Sequence, residues 1–514
     1  MTIPIPLDGS VLGFSHLGRI GAGCAVAPSA EGMDRVRHGR AILERGLASG
    51  QPIYGTNTGV GGMKDKDWRD DELAEFNLGL VRSHHFGTGA PFPNATVRKA
   101  IAIRINTALT GTVGCSPQLV DAFVDLLNAD IIPIVRRTGS IGCADIGLMG
   151  QIGAVLTGVG EVSHRGARRD AAEVLAELGR APLVFAPRDA LAALAVNAIG
   201  YAAAAVALRS AARAVRVLMA VGLFSSATLG ASRAPWRSAA HIGTRMQTDV
   251  GRWLCEASRD WPWHDASNVQ DPLSLRMMPQ IFGTTLSTLM HAGQAVLNMT
   301  ARSDDNPVVV EDEVLTSGGS LPADVAIVVQ SCQLTLAHIA RNVFNRCVIL
   351  VSGGRRGLPV NLVPEGVVAT GFGPALKLMG DLYMRVLSMT APLSPQSLVV
   401  ANGAEDEAAF LPLIVERLER QVRALWRMAA LEALLAAQAA DVLDDGSEGL
   451  ALQIRGLVRR HSAFYRADRP LSSEVEEIET EISSSGFILQ LVDLASVEEF
   501  DRFFAISSDV AGGS

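Results

Sequence analysis

Aromatic residues and clustered cysteines are both scarce in this 514-residue chain. Phe, Trp and Tyr make up 5% of it, and the apolar residues are mainly Ala, Leu and Val. Because Ala and Leu are strong helix formers, this composition favours helix over sheet. The cysteines, at positions 24, 115, 143, 255, 332 and 347, show no CxxC spacing. The sequence therefore predicts neither a zinc site nor a disulfide framework, which fits a reducing compartment.

Positive charge is also limited. The formal net charge is -8, whereas a nucleic-acid-binding surface usually needs a basic patch. We therefore expect a small-molecule substrate and no nucleic-acid partner. Residues 1–6 lack a basic region followed by an apolar core, so they do not indicate a signal peptide. We expect a cytoplasmic location.

One uncharged apolar run has nearly the length of a membrane span. It covers residues 190–208. Asn197 interrupts the run, and Arg209 and Arg213 follow it closely. We therefore predict a helix buried in the core of an oligomer, and no membrane partner.

Long apolar stretches with few helix breakers fill the middle of the chain. They indicate helices of a central bundle and cover residues 188–223, 271–299, 322–350 and 411–443. Since one bundle has too little interior to bury them all, we expect an oligomer.

The pattern divides the chain into three regions. Residues 1–185 form an N-terminal region of Gly/Pro-rich loops and short helices, residues 186–443 form the central bundle, and residues 444–514 form a more polar helical tail. In the tail, serines at 472 and 473 precede acidic residues, which indicates a helix start with a capping serine.

Two polar motifs suggest ligand contacts. Residues 54–61 read Tyr-Gly-Thr-Asn-Thr-Gly-Val-Gly, and such glycines would let Tyr54 approach a ligand closely; an ordinary turn with a packed tyrosine is the simpler alternative. Residues 270–276 read Gln-Asp-Pro-Leu-Ser-Leu-Arg. Arg276 offers a planar fork that pairs bidentately with a carboxylate, and a surface ion pair is the alternative.

Together with further segments, these motifs resemble the aromatic amino acid ammonia-lyase family, and histidine ammonia-lyases in particular. The resemblance covers roughly residues 50–410. The other segments are Ser83-His84, Asn197 with the residues after it, 303–307, Gly318-Gly319 and Glu405-Asp406. The resemblance implies a mainly α fold of the ammonia-lyase/fumarase-like superfamily with a long central helical bundle. It also implies a homotetramer whose active sites combine residues from three subunits.

The resemblance also implies roles for single residues. Tyr54 matches the base for the substrate β-proton, and Arg276 would bind the carboxylate. Asn197 and Gln270 would orient the substrate. His84 and Glu405 would select its side chain, or Glu405 would hold its amine. One departure is Leu273, which replaces a family tyrosine and removes a hydroxyl group.

The segment at residues 136–147, Arg-Arg-Thr-Gly-Ser-Ile-Gly-Cys-Ala-Asp-Ile-Gly, resembles the family's catalytic loop. There an Ala-Ser-Gly triad cyclises to the electrophile 4-methylideneimidazole-5-one (MIO), but here no serine follows Gly142. Aligned on residues 139–142, the triad becomes Cys143-Ala144-Asp145, and Ala144 has nothing to eliminate. Aligned on Asp145, the triad becomes Gly142-Cys143-Ala144. Cys143 could then lose hydrogen sulfide, although the Cβ of Ala144 would crowd the ring closure.

We predict that no MIO group forms and that no other cofactor is needed. The simplest role for Cys143 is that of a small buried residue. A carboxylate before an apolar helix is a good N-cap, so we predict that Asp145 caps the helix that follows it; facing the pocket, it would instead act as an acid, a base or a cation ligand. The catalytic candidates are therefore Tyr54, Cys143, Ala144 and Asp145.

These features predict a lyase that acts on a small amino acid or related carboxylate by β-proton abstraction and elimination. Histidine or another imidazole compound is the first substrate to test, because of the Ser83-His84 pair. Two alternatives stay open. One is an MIO-independent addition or isomerisation, and the other is a catalytically silent relative that only binds ligand.

Overall fold

The computed structural model describes residues 3–259, 261, 263, 269–396 and 398–506. These residues are mainly helical, as predicted. The helices are α1 (Phe14–Gly21), α2 (Ala30–Ala48), α3 (Leu73–Ser83), α4 (Asn94–Ala108), α5 (Pro117–Asn128), α6 (Ile146–Leu156), α7 (Ala171–Glu177), α8 (Asp189–Leu194), α9 (Ala198–Thr228), α10 (Ala234–Ile242), α11 (Arg245–Ala257), α12 (Leu273–Arg276), α13 (Met278–Asn298), α14 (Ala323–Ser352), α15 (Ala375–Ser388), α16 (Leu411–Leu443), α17 (Gly449–His461), α18 (Ser472–Ile482), α19 (Ser485–Leu494) and α20 (Glu498–Phe503).

Short strands occur in the segments between helices. They are β1 (Ile5–Leu7), β2 (Val26–Pro28), β3 (Thr88–Pro91), β4 (Ile132–Pro133), β5 (Arg136–Thr138), β6 (Glu161–His164), β7 (Ala167–Asp170), β8 (Val308–Val310) and β9 (Glu313–Leu315). β1 and β2 are parallel, and β3–β5, β4–β6–β7 and β8–β9 are antiparallel. The β3–β5 pair matters most, since Thr88 opposite Thr138 joins the segment after α3 to the loop before α6.

The predicted central bundle is present. α9 packs on α16, α13, α14 and α4, while α14 packs on α13 and α16. A continuous cluster of buried apolar side chains extends from Ile5 to Ile506. α16 spans residues 411–443, the bounds that its apolar pattern predicts.

Buried ion pairs tie the bundle helices together. Arg346 on α14 donates to both oxygens of Glu432 on α16, at 2.6 and 2.9 Å. Arg216 on α9 bonds Asp501 on α20 in the same two-pronged way, at 2.8 and 3.2 Å. Such bidentate pairs fix the relative rotation of two helices as well as their distance.

Two helical stretches are long and apolar enough to cross a membrane by length and composition alone, Asp189–Thr228 and Ala323–Ser352. In the most apolar window of the first stretch, 94% of the residues are buried inside the protein. The core helix of a folded domain passes the same test, so packing inside the bundle accounts for the apolar run around α9.

Three predicted details of the helices are wrong. The stretch 188–223 is two helices, because the chain leaves the helical path between α8 and α9, where Asn197 turns to bond buried Asp304. The stretch 271–299 is likewise divided at Met277, between α12 and α13. α18 begins at Ser472, but no serine side chain caps it. Instead, Glu474 in its first turn bonds Arg469 in the preceding loop.

Candidate active site

A cavity of about 510 Å³ lies where the N-terminal loops meet the bundle. Its wall comes from the turn after Ile53, the end of α3, the start of α6, α8 and the loops before α14 and α16. Five of the predicted site residues line it: Tyr54, His84, Cys143, Ala144 and Glu405. One chain therefore brings together residues that are up to about 350 positions apart in sequence, which only the tertiary fold can do.

Tyr54 lies in a tight turn on one side of the cavity. The next residue, Gly55, has φ +59°, and a Cβ there would lie 2.3 Å from the side chain of Leu191, so only glycine fits. The phenol oxygen accepts a hydrogen bond from the Gly61 amide at 2.9 Å, which leaves its own O–H free to donate. Burial raises the pKa of Tyr54, as does the negative charge of Glu405, while the bond from Gly61 lowers it. The phenol is therefore protonated at neutral pH.

His84 follows α3 and also lines the cavity. Its Nδ1 lies 2.7 Å from the carbonyl oxygen of Leu80, which can only accept, so Nδ1 carries the hydrogen. Ser83 Oγ lies 3.2 Å from the same nitrogen. In the neutral ring, Nε2 is then left as a hydrogen-bond acceptor.

The loop before α6 forms a third part of the wall. Gly142 has φ +75°, and a Cβ there would lie 2.5 Å from the backbone nitrogen of Leu411, so glycine is required. The Ala144 amide donates to the Ser320 carbonyl at 3.1 Å, and Cys143 Sγ lies 3.6 Å from Ser320 Oγ. Burial raises the pKa of Cys143, and Glu405 raises it further. Cys143 is therefore a neutral thiol at the cavity surface.

Asp145 does not cap the helix that follows it, so the predicted N-cap role is wrong. It precedes α6 in a left-handed conformation, φ +40°, and its side chain makes no capping bond there. Instead, its fully buried carboxyl group accepts from Ser140 Oγ at 2.7 Å and from the Gly200 amide in the first turn of α9 at 2.9 Å. The left-handed turn directs the carboxyl group away from the N–H groups of α6. The carboxyl group therefore lies behind the cavity wall and does not line the cavity.

Burial raises the pKa of Asp145 to about 7, opposed by the bonds from Ser140 and Gly200, and Asp304 raises it slightly. Burial likewise raises the pKa of Asp304 to about 6. Neither carboxyl group forms an ion pair with an Arg or Lys in the described part of the chain.

Asn197 supports the wall from behind. Its side chain donates to Asp304 at 2.7 Å and to the Ser320 carbonyl at 2.8 Å, so one amide group links the break before α9 to the segment that holds Ala144. Tyr201 also donates to Asp304, at 3.1 Å. Within one chain, Asn197 is therefore not itself a lining residue of the cavity, whereas the sequence predicts a substrate ligand.

Arg276 and Gln270 lie outside the cavity of their own chain. Arg276 ends the short helix α12 and is partly buried, and its Nε has no hydrogen-bond partner among the described residues. Gln270 is exposed. A single chain thus does not bring the predicted carboxylate-binding group to Tyr54.

Several wall residues escaped the sequence analysis. Ser317 and Ser320 flank the Gly318-Gly319 pair, which was the only local signal for them, and Leu191 and Leu194 supply an apolar side. The acidic charge of the wall is a further feature that was not predicted from the sequence. Glu405, Asp406 and Glu407 all line the cavity, while its described lining contains no Arg or Lys. A wall of this composition favours a cationic ligand.

No group of three or more His, Cys, Asp or Glu side chains suited to a metal ion occurs among the residues that the structure describes.

Comparisons with known proteins agree with this architecture. A histidine ammonia-lyase from Aromatoleum aromaticum is 31% identical over 462 residues, covering 88% of this chain and 88% of that protein. A histidine ammonia-lyase from Burkholderia multivorans is 30% identical over 440 residues, covering 84% and 87%.

Among solved structures, the ergothioneine-degrading enzyme ergothionase from Treponema denticola superposes with a TM-score of 0.89 at 27% identity, covering 93% of this chain and 98% of that one. Histidine ammonia-lyase from Trypanosoma cruzi has a TM-score of 0.85 at 23% identity, covering 98% and 97%, and shows the shared fold. The family model described as "Aromatic amino acid lyase" matches residues 12–461. The chain belongs to the aromatic amino acid lyase family, as a carbon–nitrogen lyase similar to histidine ammonia-lyases.

Proposed function

We propose that this lyase acts on the betaine of an imidazole-bearing amino acid, whose amino group is a quaternary ammonium. The enzyme would eliminate this group as a tertiary amine, without an MIO group. The first support is the loop itself. Ala144 has no group to eliminate, and its Cβ would crowd the ring closure in the other alignment. Its amide nitrogen, which would have to close the ring in that alignment, donates to the Ser320 carbonyl. These residues do not fit the prosthetic ring.

Without an electrophile, the leaving group must carry its own activation. Covalent catalysis makes a difficult departure easy by attaching the group to the enzyme first. A quaternary ammonium group needs no such step, because it leaves as a neutral tertiary amine and takes the bonding electron pair with it. An enzyme that lost the ring would therefore retain elimination for betaines and lose it for primary amines.

The charge of the cavity supports the same substrate class. Three acidic residues and Tyr54 line a space with no lysine or arginine in its described lining. Carboxylates attract a quaternary ammonium group, and an aromatic face binds it by cation–π attraction. The structural relative from Treponema denticola degrades ergothioneine, which is a trimethylammonium betaine of this kind.

His84 supports an imidazole side chain. Its Nδ1–H is bound to the Leu80 carbonyl, so its Nε2 accepts. An imidazole or imidazole-2-thione ring carries the N–H donor that matches this acceptor, whereas a phenyl ring has none. The substrate is then a histidine-type betaine.

Tyr54 and Glu405 are the pair that removes the β-proton. The C–H electron pair becomes the Cα=Cβ double bond, the Cα–N bond breaks, and trimethylamine leaves. Since the raised pKa keeps Tyr54 protonated, the phenol must pass its own proton to a neighbouring acceptor as it takes the one from carbon. Glu405, whose charge already acts on Tyr54, is that acceptor.

A second copy of the chain completes the site in this proposal. Arg276 lies outside its own cavity, and its neighbours Leu273 and Met277 are 54% and 40% exposed, so this surface offers apolar area to a second copy. Association through this surface into a homotetramer would bury both and carry Arg276 and Gln270 to the cavity of a neighbouring copy. There Arg276 would bind the substrate carboxylate.

The experiment offers the full-length protein ergothioneine, histidine trimethylbetaine and histidine in parallel. Trimethylamine is measured by mass spectrometry and the conjugated acid by ultraviolet absorbance, while intact mass reports the state of the loop. We expect trimethylamine from at least one betaine, no ammonia from histidine, and the mass of the unmodified chain. Ammonia release, together with loss of one water and one hydrogen sulfide from a peptide containing Cys143, would overturn the proposal.

A further inference from the structure

The wall loop between β5 and α6 has a conformation that its sequence does not favour. Ala144 and Asp145 are consecutive residues with side chains, and both have positive φ, +62° and +40°. Side chains larger than hydrogen crowd the backbone in this region, so an isolated segment would leave it. Something outside the loop must therefore hold it in place.

The hydrogen bonds of Asp145 form such a restraint. The Gly142 amide donates to Ser140 Oγ at 2.9 Å, and the Ser140 hydroxyl donates to Asp145 Oδ1 at 2.7 Å. Asp145 Oδ2 then accepts from the Gly200 amide at 2.9 Å. These bonds connect the cavity-facing turn to the first turn of α9, a helix of 31 residues in the core of the bundle.

We propose that Asp145 is a positioning residue that holds Cys143 and Ala144 against the cavity. In a relative with the Ala-Ser-Gly triad, the covalent ring would stiffen this loop instead. This inference rests on the ring-free loop of the proposed function. The carboxyl group contacts neither the cavity nor the substrate, because it is fully buried behind the wall. It acts through the position of its neighbours.

The space around the carboxyl group is tight. A Cβ at Gly200 would lie 2.7 Å from Asp145 Oδ2, so the glycine allows the carboxylate to reach the backbone of α9. The charged group that acts on it is Asp304, which bonds Asn197 at the same helix end. Two carboxyl groups thus hold one helix terminus and the wall loop together, and the positive end of the helix dipole favours both.

Cys143 provides a direct readout of loop position that needs no substrate. The full-length protein is treated with iodoacetamide, and peptide mass spectrometry gives the alkylation rate of each cysteine. Cys24 and Cys255 are partly exposed and distant from the loop in the chain, so they serve as internal references. The variants are Asp145→Ala, which removes both bonds of Asp145, and Asp145→Asn, which can keep both. Ser140→Ala removes one bond of Asp145 and also the bond from the Gly142 amide, but it leaves the link from Asp145 to Gly200.

We expect Asp145→Ala to speed alkylation of Cys143 about tenfold or more, and Ser140→Ala to speed it about threefold, relative to the references, because local opening becomes easier. In Asp145→Asn, the alkylation rate of Cys143 should stay within about twofold of the parent. The side-chain oxygen of the new Asn can accept from the Gly200 amide, and its NH2 group can donate to Ser140 Oγ. Asp468→Asn is the matched control. Asp468 also accepts from backbone amides and one hydroxyl, those of Thr370, Gly371 and Tyr465, and it should leave the Cys143 rate unchanged.

Activity on ergothioneine supplies the second readout. A positioning role predicts that kcat falls in Asp145→Ala, that KM changes little, and that Asp145→Asn restores kcat. Unchanged Cys143 rates in both Asp145→Ala and Ser140→Ala would overturn the inference. If Asp145→Ala fails to fold, the rates of Ser140→Ala and Asp145→Asn decide.

Failure of the proposed function has a different signature. A Cys143 peptide that cannot be alkylated and has lost hydrogen sulfide would show that a ring forms. Inactivity toward betaines with the expected alkylation pattern would refute the substrate and leave the positioning role of Asp145 intact.

Discussion

The bundle and the cavity wall bury carboxyl groups in two different ways. In the bundle, Glu432 receives both prongs of Arg346. Behind the wall, Asp145 and Asp304 receive hydroxyl and amide donors instead. Burial therefore raises the pKa of Asp145 to about 7 and that of Asp304 to about 6, toward the neutral form.

This difference separates stability from positioning. A buried ion pair is costly to break, because removal of one partner leaves the charge of the other uncompensated. Hydrogen bonds from neutral donors stabilise a buried carboxylate less than a guanidinium does. The carboxyl group can therefore titrate near neutral pH. The bundle uses the first device to fix long helices, and the wall uses the second to hold a loop of unfavourable backbone conformation beside the cavity.

The largest effect is expected from breaking the bundle pair. Arg346→Ala would remove the partner of Glu432 in the core, at a cost of about 3–5 kcal/mol of folding free energy. Denaturant unfolding measures this loss. Arg385→Ala, which removes an exposed pair with Asp381, is the control and should cost about 1 kcal/mol or less. Equal losses of folding free energy in the two variants would show that the buried Arg346–Glu432 pair stabilises the bundle no more than an exposed ion pair does.

A large effect confined to chemistry is expected from Tyr54→Phe. Loss of the phenol hydroxyl group should lower turnover about 10²–10⁴-fold, since general-base contributions have this size. The ring stays, so the melting temperature should hardly change. Tyr383→Phe is the control, because Tyr383 stacks on Phe344 and is not a residue of the cavity lining. Deuterium exchange at the substrate β-carbon is the measurement, and exchange as fast as in the parent would remove Tyr54 from the role of base.

A smaller effect is expected from Arg276→Lys. Lysine keeps the charge and loses the two-pronged geometry, so binding of a carboxylate ligand should weaken by about 1.5–3 kcal/mol. Calorimetry with the betaine measures it, and the exposed Arg385→Lys is the control. Unchanged affinity would remove Arg276 from the site. Unchanged affinity in a protein shown to be tetrameric would also refute the placement of Arg276 in a neighbouring copy.

The last expected effect is a dependence of stability on pH. The native pKa of Asp145, about 7, lies above its ordinary value of 3.8, so between these values the native state holds a proton that the unfolded state has lost. The free energy of unfolding should therefore fall as pH rises from about 4 through about 7. Unfolding at pH 5 and pH 8 measures the change, and Asp145→Asn should reduce it. An equal pH dependence in the variant would place the titrating group elsewhere, with Asp304 next to be tested.

The sequence predicts much of the bundle because apolar periodicity is a local property. α16 has its predicted bounds, and α14 differs from its predicted stretch by one or two residues at each end. The breaks at Asn197 and Met277 were missed. At Asn197 the cause lies more than a hundred residues away, since Asp304 draws the amide out of the helical path.

The site residues that belong to recognisable sequence motifs were predictable from the sequence. Tyr54, His84, Cys143, Ala144 and Glu405 meet in one cavity. Ser320 has no recognisable motif, and its contacts with Cys143 and Ala144 arise from folding. The acidic character of the wall was equally hidden, because it depends on which side chains face inward.

The sequence by itself determined the family, the helical class and the absence of a serine after Gly142, since each is written in residue order and spacing. Only the tertiary structure decided what Asp145 does. A carboxylate before an apolar helix predicts a cap, yet its direction depends on a left-handed backbone that is held by Ser140 and by Gly200, 55 residues further along the chain. Long-range packing selects such a conformation against local preference, which is why the carboxyl group caps α9 and supports the cavity wall.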